Sequence, residues 1–204
     1  MTGTRTRVYL VAKRILDLAI CVALLVIAIP VILVCALAIR LDSPGWVMIA
    51  QPRTGRDGRR FRMLKLRTML ANAEELKPQL AHLSVVPPPD FKIPDDPRIT
   101  RVGRFLRATS LDELPQLFNV LRGDMSLVGP RPTSFDASRY ELWHTQRLEV
   151  RPGITGLWQL EGRNVTTFDE RLRLDVQYIR RRSLLFDLEL IARTVVVVFR
   201  RSGA

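Results

Sequence analysis

Cysteine and histidine are scarce in this chain. Two cysteines, Cys21 and Cys35, and two histidines, His82 and His144, are all that 204 residues contain. Both cysteines fall inside one apolar run, which excludes a disulfide framework and a thiolate zinc site. So few histidines argue against a Ser–His pair or a His-ligated metal. Acids are also in short supply, 20 against 32 Lys and Arg, for a net charge of +12. That excess asks for an anionic partner: nucleic acid, an anionic membrane face or a phosphorylated substrate. Arg outnumbers Lys, which favours bidentate contacts to phosphate or carboxylate. A phosphate loop is missing too, because the glycine-containing link RTGRDGRR at 53–60 lacks the Gly-Lys-Ser/Thr ending. No internal repeat is present. What remains is the chemistry of carboxylates and guanidiniums.

Those groups concentrate in residues 107–132, RATSLDELPQLFNVLRGDMSLVGPRP. Asp112 and Glu113 are adjacent, with Arg107 before them and Arg122 and Arg131 after. Two acids among several guanidiniums suit a site that handles phosphate and a divalent cation. A simpler reading competes. Ser110 followed three residues later by Glu113 matches a capping box, and acids in a first turn complement the helix dipole. Pro115 complicates that cap, since it would sit one turn inside and crowd the carbonyl of Leu111. Either the first turn is distorted, or the regular helix begins near Pro115. Both leave the carboxylates near free backbone N–H groups, where phosphate binds.

The N-terminus carries Arg5, Arg7, Lys13 and Arg14, and residues 18–39 then run without a charge. Twenty-two apolar residues are long enough to enter a bilayer core. The run is too long for a signal peptide and lacks a cleavage site. Pro30 lies near its middle and bends a helix there. Basic residues flank both ends, with Arg40 and the 53–62 cluster following. The positive-inside rule therefore favours a re-entrant hairpin broken at Pro30 over a straight span. Asp42 to Gly45 form a turn, which divides the chain into a membrane segment, 1–44, and a body, 45–204.

In the body, 47–51 and 61–66 read as a β-hairpin with Asp57-Gly58 at its turn. The second arm, FRMLKLRTM, presents a basic face: either solvated, or placing Lys65 on a phosphate. Residues 70–83 are helix-like with an interruption at Pro78, and the proline-rich 85–97 is an extended loop. Helices are expected at 98–107, 116–121, 138–148, 168–179 and 184–199, the last amphipathic and either interfacial or packed on the core. Trp46 is placed either at a membrane interface or in the core. The stretch 150–164, VRPGITGLWQLEGRN, reads as a loop whose glycines admit close approach of a ligand or simply make turns. Asn164 opens a glycosylation sequon that reads as chance. The expected class is α+β, mainly helical, with the re-entrant hairpin, a short β-hairpin and interfacial amphipathic helices.

Taken in order, KRILDLA with the Pro30 run, FRMLKLRTM, the long segment 95–132, RPGITGLWQLEGRN, LDVQYI and LLFDLELIARTV cover nearly the whole chain. This pattern resembles the bacterial monotopic phosphoglycosyl transferases, the polyprenyl-phosphate hexose-1-phosphate transferases, in their short form. The resemblance implies transfer of a sugar 1-phosphate from a UDP-sugar to a polyprenyl phosphate, usually undecaprenyl phosphate, with release of UMP. It implies Asp112 as nucleophile, Glu113 as a ligand of Mg2+, and Lys65, Arg107, Arg131 and Arg163 around the phosphates. Asp175, in the LD-x-x-Y segment, joins the set with a less defined role. It places the protein at the bacterial inner membrane, with its catalytic domain on the cytoplasmic face, membrane lipid as a partner and no nucleic acid; a homodimer is left open. The identity of the sugar and the glycan pathway are not legible. Two other readings compete: a metal-dependent lipid phosphatase using the same acids, and a membrane-anchored basic binding module that leaves Asp112 and Glu113 idle.

Overall fold

The computed structural model describes residues 3–85, 91, 93–134, 136, 138, 140–161 and 167–199. Its first element is one helix, α1, Gly3–Asp42, with Pro30 inside it. It is long and apolar enough to cross a membrane. The helix is unbroken at Pro30, so two helices separated by a break, as expected from the proline, are not what forms. Proline removes one backbone hydrogen bond, and the rest of a forty-residue ladder holds the segment together. Asp17, Cys21, Leu25, Ala28, Ile32, Cys35 and Ile39 recur at three- and four-residue spacing and are all buried. That stripe is one helical face. Most of the remaining apolar side chains, such as Val26, Ile27 and Val34, are exposed.

The body begins with the hairpin, β1 (Met48–Thr54) and β2 (Arg60–Leu66), paired antiparallel so that Lys65 faces Ile49. Its turn takes Asp57 and Gly58 into positive φ, as the sequence predicts. Behind it come a four-residue helix, α2 (Ala73–Leu76), and then α3 (Arg101–Thr109) and α4 (Gln116–Arg122). The longer helix expected at 70–83 does not form, for Pro78 confines helical structure to single turns on either side. Thr100 caps α3 through Gly103 N–H. Gly103 lets the helix lie on the Thr68 backbone, because a Cβ there would stand 2.0 Å from the Thr68 carbonyl oxygen.

Two three-residue strands, β3 (Ser126–Val128) and β4 (Gly153–Thr155), pair in parallel. Sequence reading gave neither. A Cβ on Gly153 would meet Gly129 N at 2.1 Å, so this glycine serves strand–strand approach rather than a ligand. Residues 142–149 form 3-10 turns where an α-helix was expected, and a short helix, α5 (Leu157–Glu161), occupies part of the expected loop. The chain closes with α6 (Phe168–Arg181) and α7 (Leu184–Phe199). The prediction of an α+β, mainly helical body holds. Helix α1 packs against α3, α4, β3 and α7. Phe186, Asp187 and Leu190 bury one face of α7 in the core, while Leu185, Val195 and Val196 remain exposed.

Candidate active site

Asp112 and Glu113 lie in a single 3-10 turn, Leu111–Glu113, between α3 and α4. Ser110 precedes this turn without a side-chain cap bond: it adopts left-handed φ of 58° and closes the C-terminus of α3 with its N–H on the Leu106 and Arg107 carbonyls. The Glu113 side chain is correspondingly free of capping. Regular helix resumes at Gln116, with Pro115 in the cap position, which is the second of the two sequence alternatives.

Glu113 is held from two sides. Lys65 Nζ donates to its Oε1 at 2.8 Å from β2. Arg131 donates to Oε1 at 2.6 Å and Oε2 at 3.3 Å, a two-pronged grip. Burial alone would raise the carboxyl, but Arg131 and Lys65 outweigh it and hold Glu113 at about 2. Asp112 differs. Its nearest cation, Lys65 Nζ, stands 3.7 Å from Oδ2. Among the described residues no hydrogen bond reaches it, and it is 8% exposed. Burial, aided by the charge of Glu113, lifts its pKa above the usual carboxylate range, against Lys65, Arg107 and Arg131. Adjacent acids thus have separated roles: one locked and ionised, one loosely held beside open space.

That space is a cavity of about 500 Å³ lined by Lys65, Arg107, Asp112 and Glu113, with Gln51, Arg53, Arg67, Thr68 and Glu74 around them. Arg107 is fixed by its Nε on Thr68 Oγ1 at 2.9 Å. Strand β2 is fixed to α4 by Asn119, which accepts from Leu64 N–H and donates to the Arg62 carbonyl. Arg67, part of the basic arm that the sequence left as either solvated or phosphate-facing, is buried, its guanidinium on the Ser43 and Pro44 carbonyls. It ties the end of α1 to the end of β2. Asp96 and Arg98 form a buried pair at 2.6 Å whose other arm reaches the Ala73 carbonyl. No signal of spacing marked either role.

Of the expected site residues, Lys65, Arg107, Arg131, Asp112 and Glu113 come together. Arg163 and the Asn164 sequon lie outside the described residues, as does much of the proline loop. Asp175 does not reach the carboxylates. It is buried and paired with Arg147 at 2.8 Å, and Arg147 also donates to the Arg131 carbonyl. Asp175 therefore supports the backbone that carries Arg131. Asp175 and Arg147 line a second cavity of about 190 Å³, shared with Arg53, Arg131, Trp158, Phe168 and Arg171. Arg53, one of several arginines around the hairpin turn, was not singled out by sequence reading.

Two acids with divergent pKa values, cations on both sides and an adjoining cavity are equipped for nucleophilic chemistry at a phosphate. Comparison with known proteins points the same way. The family described as bacterial sugar transferase matches residues 8–201. Galactosyl transferase CpsE of Streptococcus agalactiae is 46% identical over 198 residues, 96% of this chain and 44% of its own length. Undecaprenyl-phosphate galactose phosphotransferase of Salmonella typhimurium is 44% identical over 197 residues, 94% of this chain and 41% of its own. The UDP-glucose:undecaprenyl-phosphate glucose-1-phosphate transferase of Caulobacter vibrioides is 42% identical over 195 residues, 90% of this chain and 68% of its own. The chain thus spans less than half the length of the first two of these relatives. A match that begins within the first turns of α1 and extends past α7 takes in the carboxylates, the cations that hold them and the apolar helix alike, and on that match the chain belongs to the bacterial sugar transferase family.

Proposed function

We propose that this chain moves a sugar 1-phosphate from a UDP-sugar to undecaprenyl phosphate through a covalent ester on Asp112. The Asp112 carboxylate attacks the sugar-bearing phosphorus, the phosphoanhydride bond breaks, and UMP leaves with that electron pair. The lipid phosphate then attacks the same phosphorus and Asp112 departs as carboxylate, giving the polyprenyl-diphosphate sugar. One observation carries this reading: Asp112 is the loosely held acid, with Lys65 at 3.7 Å and no described hydrogen bond, next to a glutamate gripped by Lys65 and Arg131 and beside a cation-lined cavity. Two easier displacements replace one hard one, and Lys65, Arg107 and Arg131 offset charge as it develops. The named activities of the relatives support the same donor and acceptor classes, and we read the transfer as a first membrane step in surface polysaccharide synthesis.

The donor set suits a magnesium ion held in part by protein. Among the described residues no three His, Cys, Asp or Glu converge. Magnesium needs only one or two carboxylates when substrate phosphates and water complete its shell. Glu113 would hold it, and the ion would supply charge neutralisation at the transferred phosphate. Activity is expected to vanish with chelator and return with magnesium; full activity in chelator would leave Glu113 as a positioning acid for Lys65 and Arg131.

Donor-only incubation tests the central step. UMP should be released without acceptor, and mass spectrometry should place a phosphosugar on the peptide containing Asp112. An adduct elsewhere, or UMP release only with undecaprenyl phosphate present, would overturn the covalent route. Hydrolysis of a lipid phosphate without a donor would favour a phosphatase.

For α1 we favour a re-entrant path into the cytoplasmic face of the inner membrane. Basic residues flank the apolar run at both ends, and its two ends both contact the body: Lys13 reaches Asp187, and Asp42 accepts from Val102 N–H. Exposed Trp46 then lies where the helix leaves lipid. Cysteine labels at Thr4 and Arg56 should react only from the cytoplasmic side; labelling of Thr4 from outside intact cells would establish a span.

A further inference from the structure

The two cavities meet at Arg53, which lines both. The charged groups around it are unevenly matched. In the smaller cavity Asp175 and Arg147 are paired with each other at 2.8 Å. Arg131 is matched by Glu113 in the larger one. Arg53 donates to the neutral amide of Gln51 at 2.9 Å, and its buried Nε has no partner among the described residues. Burial lowers its pKa, and the charges that act on it, Arg131 and Arg60, are both positive and lower it further. A guanidinium taken partly out of water, facing like charge, is costly unless an anion completes it.

We infer that Arg53 binds the nucleotide phosphate of the donor, with the nucleoside in the Trp158–Phe168 cavity and the sugar on the Asp112 side. This rests on the donor proposed above. A nucleoside diphosphate sugar has an anionic waist between two neutral ends, and the paired cavities have a cationic waist at Arg53 and Arg131. Trp158 and Phe168 line the small cavity, Trp158 under the Arg171 guanidinium and Phe168 against Tyr140 and His144, and such an aromatic wall suits a planar base. About 190 Å³ is too small for the whole donor and suited to one end of it. Chemistry fixes the orientation. Asp112 reacts at the sugar-bearing phosphorus, so the leaving phosphate must point away from it, towards Arg53. Arg53 and Arg131 then offset the charge that accumulates on UMP as the anhydride breaks.

The test is binding rather than turnover. The full chain in detergent micelles is titrated calorimetrically with UMP and, separately, with uridine. Arg53→Gln should weaken UMP by roughly tenfold to a hundredfold, as loss of a charged hydrogen bond implies. It should leave uridine unchanged. Arg53→Lys should recover part of the UMP affinity, which a folding defect would not allow. Trp158→Leu should weaken both ligands. UMP affinity unaltered in Arg53→Gln overturns the inference, as does a wild-type chain that binds neither ligand. These outcomes are separate from the covalent route: an Asp112 adduct formed by a chain whose UMP affinity ignores Arg53 would sink this assignment and spare that one.

Discussion

Asp112 and Asp187 are both buried acids with a lysine at hand, and they serve different ends. Asp187, on α7, accepts from Tyr9 and Lys13 at 3.0 Å each and from Tyr178 at 2.7 Å. Its oxygens are saturated, and the space beside those partners is about 30 Å³, room for little more than a water molecule. Asp112 has one cation at 3.7 Å, no hydrogen bond among the described residues and a cavity of about 500 Å³ in front of it. A carboxylate whose lone pairs are all committed is structural; one kept ionisable but uncommitted has a lone pair to give. Glu113 stands between these cases, gripped by Lys65 and Arg131 but with one oxygen, Oε2, accepting only a single long bond at 3.3 Å, and it sits at the edge of the cavity, where it can steer its neighbour.

Removing the uncommitted acid should cost the most activity and the least stability. Asp112→Asn is expected to lower donor-only UMP release by at least about 10⁴-fold, in line with loss of a nucleophile. Its melting temperature should stay within about 2 °C of wild type by scanning fluorimetry, since no described hydrogen bond is lost. A large drop in melting temperature would put Asp112 in the same class as Asp187.

Glu113→Gln should cost roughly 10²- to 10³-fold in the same assay, as removal of a preorganised electrostatic group does. Its pH profile is more telling. Asp112 must be ionised to attack, and its pKa lies above the ordinary carboxylate range, so the rate falls as pH drops through that raised value. Glutamine removes a like charge and releases Lys65 and Arg131 towards Asp112. Both changes favour the carboxylate, so the acid limb of the residual rate should move to lower pH. A limb that stays in place would show that the neighbours do not tune Asp112.

Asp187→Asn should show the reverse balance. It leaves Lys13, mostly buried, with Asp17 at 3.8 Å in place of its closer partner, and about 2 kcal/mol of stability should be lost, read as a fall in the denaturation midpoint in detergent. The protein that remains folded should still form the Asp112 adduct. The smallest effect is expected at Ser110, whose left-handed φ delivers Asp112 to the cavity. Ser110→Gly removes the steric cost of that conformation and adds backbone entropy to the unfolded chain, so stability should change by only about 0.5 kcal/mol, in the stabilising direction.

Much of the fold was legible because it is local. The hairpin announced itself through Asp57-Gly58 between alternating arms, and α4 through its Gly123 stop. Thr167 and Glu170 form a reciprocal capping box at the start of α6, and the spacing was there to be read. The same spacing at Ser110 and Glu113 misled. There the long-range partners Lys65 and Arg131 claim the glutamate, and α3 needs Ser110 to end it. Strands β3 and β4 were not legible, because three residues carry no period and their pairing joins segments 27 residues apart, Ser126 with Gly153. The site divides likewise. The carboxylate pair and Arg131 stood out in one short stretch, the basic arm of the hairpin offered Lys65 as one of two alternatives, and the resemblance assigned both cations to the phosphates. Arg53 stayed hidden among the other arginines of its link until the two cavities put it between them.

The contacts of Tyr9 and Lys13 with Asp187 carry a consequence for how this protein is made. They join positions 178 and 174 residues apart, the first turns of the chain to the last helix. A growing chain emerges from its amino end, so α1 is available to lipid long before the aspartate that neutralises Lys13 exists. During that interval the carboxylate next to Lys13 is Asp17, one turn further along α1. The apolar helix can thus settle at the membrane first, its basic end held at the surface. On the membrane-bound reading proposed above, arrival of α7 then closes the body onto a helix already in place, and the Asp112 turn is completed at the bilayer.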